Sequence, residues 1–188
     1  MKHIALFALT SFALISTSTA APVDFKAPKG WKKEKPANNM RKHQFRIPKS
    51  KGDVKDGELA VFHFSGGGSV EANIKRWKTQ VRAGAKDPKA KQTTRTCGGL
   101  KVVIYDQTGT YQTPPRGPRA PGVKMAGARV INAIIETAEG NYYVKFVGPK
   151  KTIGDNMKQF HAFLDSLSAT GKAKPKKPTS KPTSKPGN

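Results

Sequence analysis

ELAVFHFSGGGSVEANIKRW, residues 58–77, runs from an apolar stretch through three glycines into a segment with helical periodicity. Leu59 and Val61 alternate with Ala60 and Phe62, so both faces of 58–64 are largely apolar. That is the pattern of a strand inside a sheet covered on at least one side. Beyond the glycines, Val70, Ile74, Trp77 and Val81 recur at intervals of four, three and four, which places them on one face of a helix over 70–81. Ser69 stands where an N-cap belongs, and Glu71 falls in the first turn, where the helix dipole favours an acid. Strand, glycines and helix also follow one another in a phosphate-binding loop. The likeness stops there, because 65–72 reads SGGGSVEA, neither GxxxxGK[ST] nor GxGxxG. The glycines are expected to turn the chain with positive φ. Ser69 is expected to occupy the N–H groups an anion would otherwise use.

Working outward, HQFRIP (43–48) alternates and stops at Pro48, a first strand. Ahead of it, Phe25 and Trp31 are isolated aromatics of an extended lead-in, with a turn at 28–31, and are expected to pack on the body. Residues 49–57 form a turn-rich loop in which solvation accounts for Asp53 and Asp56, with Glu58 beside it. The basic stretch 83–96 is expected to be a connector. KVVIYDQ (101–107) is a strand, followed by a proline-rich basic loop over 108–124 that carries Tyr111, Arg116 and Arg119. Residues 128–136 and 141–148 read as a hairpin. In the latter, Tyr142, Val144 and Phe146 share one face, opposite Tyr143, Lys145 and Val147. After Pro149, Ile153, Met157, Phe160, Leu164 and Leu167 mark a terminal helix, with Thr152 and Asp155 spaced as a capping box. The elements sum to an α+β fold, an antiparallel sheet of about five to six strands packed with two main helices.

The two ends differ in composition from this body. MKHIALFALTSFALISTSTAAPV opens with Lys2, continues with an apolar Ile4–Ile15 run and ends in small residues, the layout of a signal peptide over 1–20 cleaved after Ala20 or Ala21. The run is short for a membrane span, and nothing later reaches spanning length. Residues 21–170 then form one α+β domain. From Gly171 to Asn188 the chain holds lysine, proline, serine and threonine, with KPTS repeated from Lys177, and is expected to be a disordered tail. The periplasm or the extracellular space is the expected location.

The whole chain carries +23; without Lys2 and the six lysines after Thr170, residues 21–170 keep +16. Such an excess favours a polyanion or an acidic envelope protein as partner. The basic interval runs through Lys32, Lys33, Lys49, Lys51, Arg76, Lys78, Arg82, Lys86, Lys89, Lys91 and Arg95. No specific nucleic-acid motif accompanies it, so charge alone implies salt-dependent, non-specific contact.

Candidate chemistry is sparse. His43, His63 and His161 share no ligand-like spacing, and no HExxH, CxxC or acidic metal loop occurs. There is no nucleophile elbow and no paired-carboxylate signature. Cys97, the single cysteine, offers no internal disulfide and reads as a small buried hydrophobe. No catalytic, cofactor or metal residue is assigned. The leading reading is a non-enzymatic binding or structural module with a basic surface. The alternative is a small secreted hydrolase or other enzyme whose site is gathered from separate strands, with a deep pocket joining His63, Cys97 or an acid to other polar groups.

FKAPKGW, FRIP, GDVKDGELAVFHFSGGGSVEANIKRWKTQ and NYYVKFVGPKKTIGDNMKQFHAFLDSL, taken together over about residues 25–168, resemble a group of exported, uncharacterised bacterial proteins. Their architecture is similar to the PsbP-like α/β/α sandwich. That resemblance implies a non-catalytic binding or assembly role and carries over no partner-binding residue. It marks Gly66–Gly68, Asn73, Arg76 and Trp77 as a shared framework for the strand-to-helix corner.

Overall fold

A computed structural model describes residues 23–114, 122–138 and 140–169. The signal-like segment 1–20, Arg116 and Arg119, and the tail 171–188 lie outside the described residues. Among the described residues the elements follow as β1 (Val23–Asp24), β2 (Lys32–Glu34), β3 (Arg41–Ile47), β4 (Gly57–Phe64), α1 (Val70–Lys78), β5 (Val81–Arg82), β6 (Lys91–Cys97), β7 (Leu100–Thr113), β8 (Val123–Ile135), β9 (Asn141–Pro149), α2 (Lys150–Asp155), α3 (Met157–Asp165) and β10 (Ser168–Ala169). One antiparallel sheet of eight strands runs β2-β3-β4-β9-β8-β7-β5, with β6 on another stretch of the long β7; β1 and β10 pair on their own. This is the expected α+β class with more strands than the five or six expected.

The added strands have identifiable causes. β6 buries only its last residue, Cys97, so it lacks the apolar alternation that marks a half-buried strand. Its β-branched Thr93, Thr94 and Thr96 suit an edge, and its backbone pairs from Lys91↔Asp106 to Cys97↔Leu100. Of the stretch 108–124 expected as a loop, 108–113 and 123–124 are strand as well, because β7 continues to Thr113 and β8 begins at Val123. α1 stops at Lys78 rather than at Val81. The Thr79 hydroxyl donates to the Arg76 carbonyl at 2.8 Å, and Val81 turns into β5 opposite Tyr111.

The central strands bury both faces, as the two-sided apolar pattern of 58–64 requires. On one face Leu59, Val61, Val144 and Phe146 join Phe160, Phe163 and Leu164 of α3 in the main core, which also takes in Trp31. Truncating any one of these to alanine is expected to cost about 2–5 kcal/mol. The expected terminal helix is broken at Asn156, at φ −98° and ψ 10°. Its amide donates to the Thr152 carbonyl at 2.9 Å and accepts from the Trp31 indole at 3.1 Å, so the break ties the lead-in to the helices. Thr152 is not a cap: it lies inside α2, fully buried, and its hydroxyl bonds Asp53. Asp53, Asp56 and Glu58 are likewise not merely solvated. Asp56 pairs with Arg46 at 3.1 Å and Glu58 with Arg41 at 2.8 Å.

On the opposite face α1 covers only part of the sheet. Ile74 and Trp77 pack on Val103, Tyr105, Ile134 and Tyr143. A second patch, with Val81, Tyr111, Val130 and Val147, lies beyond it. Ala60, Phe62, Lys145 and Asn132 fall on this same face, joined across the strands by Ala60↔Lys145, Phe62↔Tyr143 and Asn132↔Lys145.

Candidate functional site

The corner at 65–69 is built from the inside of the helix. Buried Asn73 donates from its amide to the carbonyls of Gly67 at 2.8 Å and Ser69 at 2.9 Å, and its own oxygen accepts from Arg76 at 2.5 Å. Ser69 has the extended backbone of an N-cap, and its hydroxyl accepts from Ala72 N–H at 3.1 Å. Of the three glycines only Gly68 has positive φ, at +78°. Gly67 serves another purpose, since a Cβ there would fall on the Tyr143 hydroxyl. The loop aims carbonyls at Asn73 and its first free N–H at a serine, which is the wiring of a corner.

Beside that corner, where α1 leaves the sheet uncovered, a groove runs along the face. Its middle is a recess of about 340 Å³ between Arg76 and Trp77 on α1, Gln80 just after it, and Phe62, Lys145 and Asn132 on the strands. It shares Phe64, Arg76 and Tyr143 with a recess under Gly66–Gly68, and Met40, Phe62 and Lys145 with one that reaches Val123 near the β7–β8 turn. The floor is aromatic: Phe62 and Phe64 stack at 6.3 Å and 17°, and Phe64 leans on Tyr143 at 5.8 Å.

Charge is unevenly placed along this groove. At the far end Glu58 and Asp56 are paired to arginines. The middle recess has Arg76 and Lys145 in its lining and no carboxylate. Lys145 donates to Gln80 at 2.9 Å and to the Tyr111 hydroxyl at 3.1 Å. Exposed Arg76 bonds the neutral Asn73. Among the described residues four buried side-chain polar atoms lack a hydrogen bond, and two of them belong to the lining of the middle recess: the amide nitrogen of Asn132, a residue 1% exposed, and the hydroxyl of Tyr143. A buried donor left unpaired costs about 1–3 kcal/mol, which marks this spot as one where stability has been given up.

The other residues singled out from the sequence are dispersed. His43 stands edge-on to Phe25 at 4.9 Å, and burial together with the nearby Lys33 lowers its pKa. His63 lies against Tyr142 at 4.4 Å, and His161 meets Arg95 at 2.9 Å. Among the described residues no three His, Cys, Asp or Glu side chains gather where a metal could be held. Cys97 is buried in the helix-side core, where desolvation raises its thiol pKa. His63 lines the recess under the glycines instead, so the two do not meet. Asn132 and Lys145 are site residues that no motif in the sequence marks; the signal they do carry is a polar residue at an inward position of an otherwise apolar strand.

Outside the groove, Lys75 and Lys78 of α1 border a shallow recess with Gln92 of β6, and Lys89, Lys91 and Lys150 surround the Arg129–Asp106 pair. Lys75, Lys78, Lys89 and Lys91 thus lie near the β6 edge, whereas Lys32 and Lys33 stand on β2 at the other end of the sheet. No helix among the described residues is long and apolar enough to cross a membrane.

The chain matches no family model and, in sequence, no curated protein. Among solved structures it is similar to LpqN of Mycobacterium tuberculosis, involved in cell envelope biogenesis, at TM-score 0.52 and 8% identity over 82% of this chain and 87% of that one. A Pseudomonas aeruginosa protein of unknown function is matched at TM-score 0.49 and 10% identity, over 81% of this chain and 99% of that one. Cyanobacterial PsbP from Synechocystis is matched at TM-score 0.43 and 10% identity, over 86% and 98%. The likeness to LpqN is one of fold.

Proposed function

We propose that this chain is an exported, non-enzymatic binding module of the periplasm or extracellular space, whose basic surface meets a polyanion or an acidic envelope protein. The observation that carries this reading is the gathering of exposed Lys75, Lys78, Lys89 and Lys91 along one sheet edge, on a body with a large positive excess. The signal-like N-terminus supports export, and the role of LpqN in envelope biogenesis supports the setting. Contacts of this kind are long-range, so they weaken as salt shortens the Debye length to about 8 Å at physiological ionic strength.

Heparin chromatography tests the reading. The full chain should be retained at low salt and released as sodium chloride rises. Deleting 171–188 should lower the eluting salt, and replacing Lys75, Lys78, Lys89 and Lys91 by glutamine should lower it further. Elution that ignores both changes would sink an electrostatic role for this surface.

A further inference from the structure

Four large apolar side chains stand exposed among the described residues, and three of them, Met40, Phe64 and Val123, border the groove beside α1. Exposed apolar groups scattered singly are ordinary; three along one recess mark a binding surface. Chemistry varies along it. Aromatic floor from Phe62 and Phe64 leads to a recess whose charged lining residues are both cationic. There Arg76 bonds a neutral amide and, among the described residues, no carboxylate, and its planar guanidinium can take both oxygens of an acidic group. Independently of charge, the lining of the same recess carries two of the four unpaired buried polar atoms among the described residues, Asn132 Nδ2 and the Tyr143 hydroxyl.

These features fit one kind of occupant. A neutral apolar ligand would leave Arg76 and the Asn132 donor unanswered. A small hydrophilic anion would leave Met40, Phe62 and Phe64 in water. A polyanion would meet two carboxylates at the far end of the groove. We propose that the groove binds a small amphipathic anion: a single acidic head at Arg76, within reach of the Asn132 amide, on an acyl chain laid along Phe62, Phe64 and Met40. This site is on the α1 side of the sheet and does not depend on the lysines of the β6 edge.

Titration of the full chain with sodium dodecanoate below its micellar concentration, followed by the indole N–H signals in 1H–15N spectra, tests the proposal. The chain has two tryptophans. Trp77 lines the recess, whereas Trp31 sits in the opposite core and donates to Asn156. Dodecanoate should shift the Trp77 signal saturably and leave that of Trp31 in place. Dodecanol, which has the chain without the charge, and acetate, which has the charge without the chain, should each bind at least tenfold more weakly. Arg76→Gln should lower dodecanoate affinity about tenfold, Arg76→Lys, which keeps the charge but not the planar fork, should restore only part of it, and Phe64→Ser should weaken dodecanoate and dodecanol alike. An unmoved Trp31 signal in each variant confirms the fold. The proposal is overturned by the absence of saturable binding, by equal affinity for dodecanol, or by an Arg76→Gln variant that binds dodecanoate as the parent does. Heparin retention that survives Arg76→Gln separates this outcome from failure of the polyanion reading.

Discussion

Asp53 and Thr152, 99 residues apart, are joined twice: the carboxylate accepts the Thr152 backbone N–H at 2.8 Å and its hydroxyl at 2.5 Å. The Thr152 oxygen in turn accepts from Ser50 N–H at 3.0 Å. The loop before β4 thus takes the place of a side-chain cap for α2, which has none of its own. Asp53→Ala strands two donors at a fully buried threonine and should cost about 2–3 kcal/mol; Asp53→Asn, which keeps one acceptor, should cost about 1 kcal/mol. Urea denaturation midpoints measure both, and equal losses would show that the ionised carboxylate is required and that a neutral acceptor of the same size cannot replace it.

Gly98 and Gly99 stand next to each other with φ of +57° and +78°, yet they should not respond alike. A Cβ on Gly98 would fall on the Leu167 carbonyl oxygen, whereas one on Gly99 meets nothing within 4 Å. Gly99→Ala bears only the left-handed backbone penalty of about 1–2 kcal/mol. Gly98→Ala must in addition push the chain entering β10 away, and should cost about 3 kcal/mol or more. Thermal unfolding of the two variants decides this.

Arg129 holds Asp106 with two parallel bonds, Nε to Oδ1 at 3.0 Å and Nη2 to Oδ2 at 2.6 Å, on neighbouring strands with both side chains about one quarter exposed. The carboxylate raises the guanidinium pKa further. A double-mutant cycle with Arg129→Gln and Asp106→Asn should return a coupling of about 1 kcal/mol. The exposed Lys151–Asp155 pair of α2 should couple more weakly and lose its coupling sooner as salt is added.

His43 gives the fold a pH dependence of definite sign. Burial first, and then Lys33, lowers its folded pKa below the ordinary histidine value of 6.5. The unfolded chain therefore binds the proton more readily, so stability falls as pH drops from about 6.5 toward the depressed folded value. His43→Gln should flatten the urea midpoint over that interval. Asp56, held low by the Lys49 N–H and Arg46, acts from about 3.8 downward, where its bonds are lost on protonation, and so leaves the higher window to His43.

Cys97 is 2% exposed, and desolvation raises its thiol pKa. Both effects keep thiolate scarce and shielded. Labelling by a thiol-specific disulfide reagent should be slow in the native protein and accelerate in step with urea unfolding. Rapid native labelling would contradict the packing of β6 against α3.

Elements with a one-sided or two-sided apolar code were legible from the residues. Leu59 to Phe62 named a central strand, and Ile74 with Trp77 named the inner face of α1. Ser69 was readable as a cap because capping is local chemistry. What escaped notice depended on distant partners. β6 is recruited by β7 through backbone bonds, so its threonines and lysines carry little hydrophobic signal. The break at Asn156 depends on Trp31, 125 residues away. Asp53 could not be told from a solvated turn acid without Thr152. The groove is the extreme case: Arg76, Asn132 and Lys145 come from three segments, and only the pairing of β8 with β9 and the short reach of α1 bring them together.

The pairing of β1 with β10 gives the molecule a direction. Val23↔Ala169 and Asp24↔Ser168 are a ladder of two residues each, and both Val23 and Ala169 pack into the helix-side core. The chain therefore enters and leaves the body at one point, on the side away from the groove. A pull applied across the two flanks would load that short ladder and spare the eight-stranded sheet.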